Sequence, residues 1–264
     1  MIFGILNLTE DSFSDGGKYL EPEQALRHAS ELRQRGADVL DLGPASSHPD
    51  SSRVTPEEEI RRIEPVIREL KTRNVPVSVD SYQPEVQRYA LTQGVEYLND
   101  IQGFPEPSIY GDLARGDCRL VVMHSIQASG PADRSDVPPG EILKRVREFF
   151  EERIARLTEA GIARERLILD PGMGFFLGTN AETSLTVLRE IASLKKEFDL
   201  PVLISVSRKS FLGAVTERAV DERGAATLAA ELFAAEQGVD YIRTHDAGAL
   251  RDGLLIQERL NMVS

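Results

Sequence analysis

The sequence predicts an α/β protein, a closed (β/α)8 TIM barrel formed by one domain over residues 1–264. Three observations predict it. Eight short β-rich runs alternate with helical patterns, which implies a parallel sheet, and eight such units in 264 residues fit a closed barrel better than an open doubly wound sheet. The runs are continuously apolar, as strands covered on both faces are. The first run is followed by Asn7-Leu8-Thr9-Glu10-Asp11, not by the glycine-rich turn that opens a dinucleotide-binding sheet.

Taken in order, the strands are expected at 2–8, 39–42, 75–80, 97–100, 120–123, 167–170, 202–206 and 241–244. The helices between them carry apolar residues at i, i+3/i+4 spacing. Ala25, Ala29 and Leu32 mark the first, and Ile60, Ile63, Ile67 and Leu70 the second. The second opens with Thr55-Pro56-Glu57-Glu58, a capping box with proline at the first helical position. Pro65 lies inside its pattern and predicts a kink. Val146, Phe149, Phe150, Ile154 and Leu157 mark the fifth helix, and Leu228, Leu232 and Ala235 the seventh. Three segments, 9–20, 43–54 and 127–139, are long for βα loops, and long loops in a compact domain usually serve function.

Composition excludes several classes. A formal net charge of −12 gives no bulk attraction to nucleic acid or acidic lipid, so neither is expected as a partner. The single cysteine, Cys118, allows no intrachain disulfide and no cysteine-based zinc site; its apolar neighbours predict a buried, inert thiol. No apolar stretch reaches the ~18 residues of a membrane span, and no secretory pattern opens the chain, so a cytoplasmic location is the default expectation.

In an α/β barrel the residues at the C-terminal ends of the strands face the active-site mouth. Here every such end is polar or glycine-rich: Asn7, Gly43 to Pro49, Asp80, Asn99 with Asp100, His124, Asp170, Ser207 with Arg208 and Lys209, and Arg243 with His245. A full ring of this kind points to an enzyme. Asp80, Asp170 and Asn99 can line a pocket for a flat heterocycle, since carboxylates accept from ring N–H and NH2 groups and an amide both donates and accepts. Lys209, Arg243 and His245 suit anionic oxygens. Asn7 has no carboxylate beside it, so it can hold Mg2+ only together with substrate phosphates. The set describes a heterocycle with a phosphate leaving group. His245 and Asp246 are sequence neighbours that face opposite ways on a strand, which excludes a Ser–His–Asp arrangement through that pair.

Several segments together resemble the dihydropteroate synthases. The run Gly4 to Gly17 resembles their opening signature and Gly36 to Gly43 their second. Ser78-Val79-Asp80-Ser81, Leu98-Asn99-Asp100-Ile101, Val121-Val122-Met123-His124, Leu169-Asp170-Pro171-Gly172, Ser207-Arg208-Lys209-Ser210 and Arg243-Thr244-His245-Asp246 follow in the family's order. The resemblance implies a pterin-binding TIM barrel that condenses a dihydropterin pyrophosphate with 4-aminobenzoate and releases pyrophosphate, with Mg2+ as cofactor and a homodimer as assembly. It implies that Asp80, Asn99, Asp170, Lys209 and Met123 hold the pterin, with Lys209, Asp80 and Asp170 catalytic. Asn7, Ser47, Arg243 and His245 would bind pyrophosphate, Asn7 also the metal. Ser207, Pro49, Phe13, Phe175 and Phe176 would border the aminobenzoate.

Departures narrow the resemblance further. Pro44-Ala45-Ser46-Ser47-His48-Pro49 stands where the chromosomal enzymes have Gly-Glu-Ser-Thr-Arg-Pro, and Met173-Gly174-Phe175-Phe176-Leu177 follows Asp170-Pro171-Gly172. Both segments are similar to the mobile, sulfonamide-resistant branch, which implies insensitivity to sulfonamides. Two other readings share part of the pattern. A pterin-barrel methyltransferase would keep Asn7, Asp80, Asn99 and Asp170 but not the Ser207–Ser210 and Arg243–His245 segments. A non-catalytic pterin-binding barrel would lack the anion-binding residues, which are present.

Overall fold

The computed structural model describes residues 1–9, 21–46, 48, 53–127, 132 and 135–262. Its eight strands are β1 (Ile2–Asn7), β2 (Val39–Gly43), β3 (Val77–Asp80), β4 (Tyr97–Asp100), β5 (Arg119–Met123), β6 (Leu167–Asp170), β7 (Leu203–Ile204) and β8 (Tyr241–Thr244). All pair in parallel, in the order β6-β5-β4-β3-β2-β1-β8-β7. A single parallel bridge, Leu169 to Val202, joins β6 to β7 and closes the ring. β7 keeps only two ladder residues where the apolar pattern predicts five, because Ser205 and Val206 already leave the ladder toward the loop that carries Lys209.

Inward-facing positions form layers, as the two-residue strand period requires. At the N-terminal end Phe3, Val39, Tyr97, Val121, Ile168, Leu203 and Tyr241 fill the barrel. Phe3 meets Tyr97 and Tyr241 edge to face at 4.9 and 5.5 Å, and Arg119 donates to the Tyr241 hydroxyl at 2.6 Å. The barrel is therefore solid at this end. Its other end carries the site.

The helices cover the outside, α3 (Pro84–Thr92), α4 (Tyr110–Arg115), α6 (Ala181–Arg189), α7 (Ile191–Phe198) and α8 (Ser210–Thr216) among them. α1 (Glu21–Gln34) buries Ala25, Ala29 and Leu32, as their spacing predicts. α2 (Pro56–Thr72) starts at Thr55, whose hydroxyl accepts from the Glu58 N–H at 3.3 Å. The Glu58 carboxylate does not complete the capping box. Arg61 and Arg62 take it instead at 2.7 Å and lower its pKa to about 2. Pro65 sits inside α2 without ending it. α5 (Pro139–Glu159) buries Ile142, Val146, Phe150 and Leu157. α9 (Gly224–Glu236) departs from expectation. Its barrel face is Thr227, Ala230, Glu231 and Ala234, whereas Leu228 and Leu232 turn to Gly253 of α10 (Ala247–Asn261), where a Cβ would meet each at 3.1 Å. A helix between a barrel and a neighbouring helix has two faces to cover, and spacing alone reports the more apolar one. Cys118 is buried, and burial raises its thiol pKa.

Candidate active site

A cavity of about 470 Å³ opens at the C-terminal ends of the strands. Asn7, Asp80, Ser207, Lys209, Arg243, His245, Phe175 and Phe176 line it, together with His48. Phe13, Ser47 and Pro49, expected here, lie outside the described residues.

Arg243 organises the floor. Its Nε donates to Asp41 Oδ2 at 2.5 Å and its Nη2 to Asp80 Oδ2 at 2.7 Å. Burial works against the guanidinium's charge, but Asp41 and Asp80 more than offset it and raise the Arg243 pKa. Burial pushes Asp80 up to about 7 against the pull of Arg243. Asp170 rises to about 6 through burial, although its Oδ1 accepts from the Gly172 N–H at 2.8 Å. Asn99, the register partner of Asp80, is buried, and its Oδ1 has no partner among the described residues. Of these three acceptors only Asp80 lines the cavity; Asn99 and Asp170 are buried outside its lining, Asp170 near enough to Lys209 for their charges to interact.

Lys209 arrives on the loop after β7. Burial, then Arg243, lowers its pKa to about 8. Its ammonium lies 4.9 Å from the centre of the Phe176 ring, a cation–π contact. The loop is fixed from behind. Arg208 has φ of 58°, its N–H donates to Thr227 Oγ1 at 3.0 Å, and Arg223 donates to its carbonyl at 3.0 Å. Ser207 is buried, and its hydroxyl lies 2.8 Å from His245 Nδ1. It props the imidazole. Ser210, one turn further, faces the cavity. Burial, then Arg243, lowers the His245 pKa to about 3, so the ring is neutral.

The wall beside Lys209 is apolar. Phe176 packs with Ile101, Met123 and Ala132, flanked by Tyr82 and Phe175. The 3-10 turn Gly174–Leu177 presents both phenylalanines. That turn depends on Gly172, at φ of 74°, where a Cβ would fall 2.3 Å from the His124 carbonyl. His48 meets Phe175 edge to face at 5.9 Å. His124 is turned away from the cavity, its Nδ1 3.1 Å from the Pro171 carbonyl and its ring 5.2 Å from Phe149; burial lowers its pKa to about 4. Asp100 also faces outward, bonded to Gln87 and Gln102.

Strand-end reasoning passed over Asp41, Ser210 and Arg223. Asp41 carries a usable signal: it precedes Gly43 by two residues and so shares its inward face. Arg223 has none, since it reaches the loop from the start of another helix. No group of three or more His, Cys, Asp or Glu residues able to hold a metal occurs among the described residues. None of the described helices is long and apolar enough to cross a membrane.

Comparison with known proteins agrees with this geometry. The family model for pterin binding enzymes matches residues 3–245. The chain is 58% identical to dihydropteroate synthase type-2 of Escherichia coli over 97% of this chain and 94% of that protein. It is 54% identical to the type-3 enzyme of the same organism, over 98% of each. Dihydropteroate synthase from Xanthomonas albilineans, solved in complex with 7,8-dihydropteroate, superposes with a TM-score of 0.86 at 36% identity, over 98% of this chain and 93% of that one. A likeness of this extent, in sequence and in fold, makes the chain a member of the pterin-binding enzyme family and, within it, of the dihydropteroate synthases.

Proposed function

We infer that this chain condenses 6-hydroxymethyl-7,8-dihydropterin pyrophosphate with 4-aminobenzoate, giving 7,8-dihydropteroate and pyrophosphate. The observation that carries the reading is the pairing of buried acceptors with cations at one mouth. Asp80, Lys209, Arg243 and a neutral His245 line the cavity, and Asn99, the register partner of Asp80, and Asp170 are buried outside its lining. In this reading the acceptors take the ring N–H and NH2 groups of the pterin, with Met123 in the apolar wall beside them. As the C–O bond to pyrophosphate breaks, the carboxylates favour the positive charge that develops on the pterin, and Arg243, Lys209 and the Nε2–H of His245 favour the departing anion. The amine of 4-aminobenzoate then attacks the pterin carbon and loses a proton. No protein nucleophile is required.

Mg2+ fits as a companion of the pyrophosphate, not as a resident ion. Asn7 Oδ1 faces Gly43, where an added Cβ would meet it at 3.3 Å, and it is a single neutral donor with no carboxylate cluster around it among the described residues. When bound with pyrophosphate the ion would neutralise leaving-group charge, with Asn7 as its protein ligand.

Phe175, Phe176 and Ser210 border the space for the aminobenzoate. The hydroxyl of Ser207 is engaged by His245, which supports a role for Ser207 in setting that ring. We read the enzyme as insensitive to sulfonamides, on its likeness to the type-2 and type-3 enzymes and on Phe176. We also propose a homodimer. Phe233, Leu255, Ile256, Leu260 and Met262 leave an apolar face on and beside α9 and α10, from 36% to 71% exposed, and patches of this kind mark interfaces. Release of pyrophosphate only when both substrates are supplied tests the activity. Release from the pterin pyrophosphate alone at the same rate would refute it.

A further inference from the structure

Arg243 is bonded to two carboxylates, and the proposed reaction requires only one of them. Asp80 faces the cavity and is the acceptor assigned above to the pterin ring. Asp41 lies one layer deeper, fully buried in the middle of β2, and touches no part of the cavity. Its Oδ2 takes the Arg243 Nε at 2.5 Å. Its Oδ1 has no partner among the described residues, and the same holds for the buried hydroxyls of Ser78, its register partner on β3, and Ser205. A carboxylate this deep in a barrel core is costly unless a charge compensates it.

We propose that Asp41 is the permanent counter-ion of Arg243 and so a positioning residue for the pterin pyrophosphate, leaving Asp80 able to change partner when the substrate arrives. With Nε held from below, the guanidinium plane is fixed, Nη2 points at Asp80 and Nη1 is left for the mouth. When the pterin's donors engage Asp80, the bond from Nη2 can lengthen without stranding a buried cation, because Asp41 still balances it. Without Asp41, Arg243 has one bonded carboxylate left, and releasing that one to the substrate would leave the guanidinium with no carboxylate bonded to it and only the weaker influence of Asp170. The enzyme would then hold Asp80 against the pterin. The inference rests on the synthase reading above.

The test is steady-state kinetics of Asp41→Asn, which keeps size and an accepting oxygen but removes the charge. The KM for the pterin pyrophosphate is expected to rise by about tenfold or more, while the KM for 4-aminobenzoate stays within about twofold. A general loss of structure would move both constants together, and either that result or no change in either would overturn the proposal. Wild-type turnover in the same assay checks the synthase reading separately. Should Asp41→Asn fail to fold, the wild-type enzyme decides. With 15N-arginine labelling and assignment by Arg243→Lys, the Arg243 Nε–H resonance should stay protected from exchange both free and saturated with pterin pyrophosphate. Fast exchange in the saturated enzyme would mean that Asp41 lets go, and the proposal would fail.

Discussion

Single side chains govern the pH response. Burial raises Asp170 to about 6 and Asp80 to about 7, and lowers Lys209 to about 8. The carboxylates balance a pterin cation only when ionised, and accept ring donors most strongly in that form, and Lys209 favours an anion only when protonated. The kcat/KM for the pterin pyrophosphate should therefore rise as pH climbs through about 6 to 7 and fall again near 8. Lys209→Arg, if active, should push the alkaline limb upward, because arginine stays protonated. His245→Asn should leave both limbs in place, since that ring is neutral throughout. Lys209→Ala should abolish condensation with melting temperature preserved; near wild-type turnover would remove Lys209 from the mechanism. Phe176 belongs to the same scale. Its ring is 4% exposed and lies under Lys209. A rigid ring there can clash with a tetrahedral sulfonyl group while admitting a flat carboxylate. Phe176→Gly is expected to lower a sulfonamide's inhibition constant by about tenfold or more, well beyond its effect on the KM for 4-aminobenzoate. Parallel changes in both constants would point away from this residue.

At the scale of elements, two turns carry testable weight. Gly172→Ala adds a Cβ 2.3 Å from a backbone carbonyl at a φ of 74°. The loop after β6 must then shift, and Phe175 and Phe176 with it. Stability should fall by about 1–3 kcal/mol, measured by urea unfolding, and activity should fall with it. Thr55→Ala removes the cap of α2 and should cost about 1 kcal/mol with little effect on kcat. Elements of this kind are also where the sequence is most legible. Three of the eight strands, 97–100, 167–170 and 241–244, match the apolar runs residue for residue. Each of these strands opens on apolar residues and ends on a polar one, Asp100, Asp170 or Thr244, so its start and its end are both marked in the sequence. The misreadings have physical causes. In the stripe Leu228, Leu232 and Ala235, the two leucines report contact with α10 and only Ala235 packs on the core, and Glu58 prefers two arginines to its own cap. Around the mouth, strand-end logic located Asp80, Lys209 and Arg243, which line the cavity, and Asp170, which is buried outside its lining. It passed over Asp41, because a charge inside a barrel core contradicts the apolar rule used to find strands.

The whole molecule adds constraints that no element has alone. If the apolar face of α9 and α10 is a subunit interface, Leu255→Glu with Ile256→Glu should convert a sedimenting dimer to a monomer; an unchanged sedimentation coefficient would exclude this face. The same α9 supplies Thr227 and Arg223 near its start to the loop of Lys209, so the monomer is also expected to lose activity.

The aromatic layer of Phe3, Tyr97 and Tyr241 has a kinetic consequence. It leaves the barrel a single opening, so whatever goes in must come out by the way it entered. We take the pterin to lie deepest, on Asp80, and the pyrophosphate nearer the rim. The molecule that binds first is then the one whose pterin half departs last, and pyrophosphate must clear the opening before dihydropteroate can follow. Product inhibition should record this traffic. Dihydropteroate should compete directly with the pterin pyrophosphate, because both need the same floor of the free enzyme, and a non-competitive pattern between them would overturn this order of release.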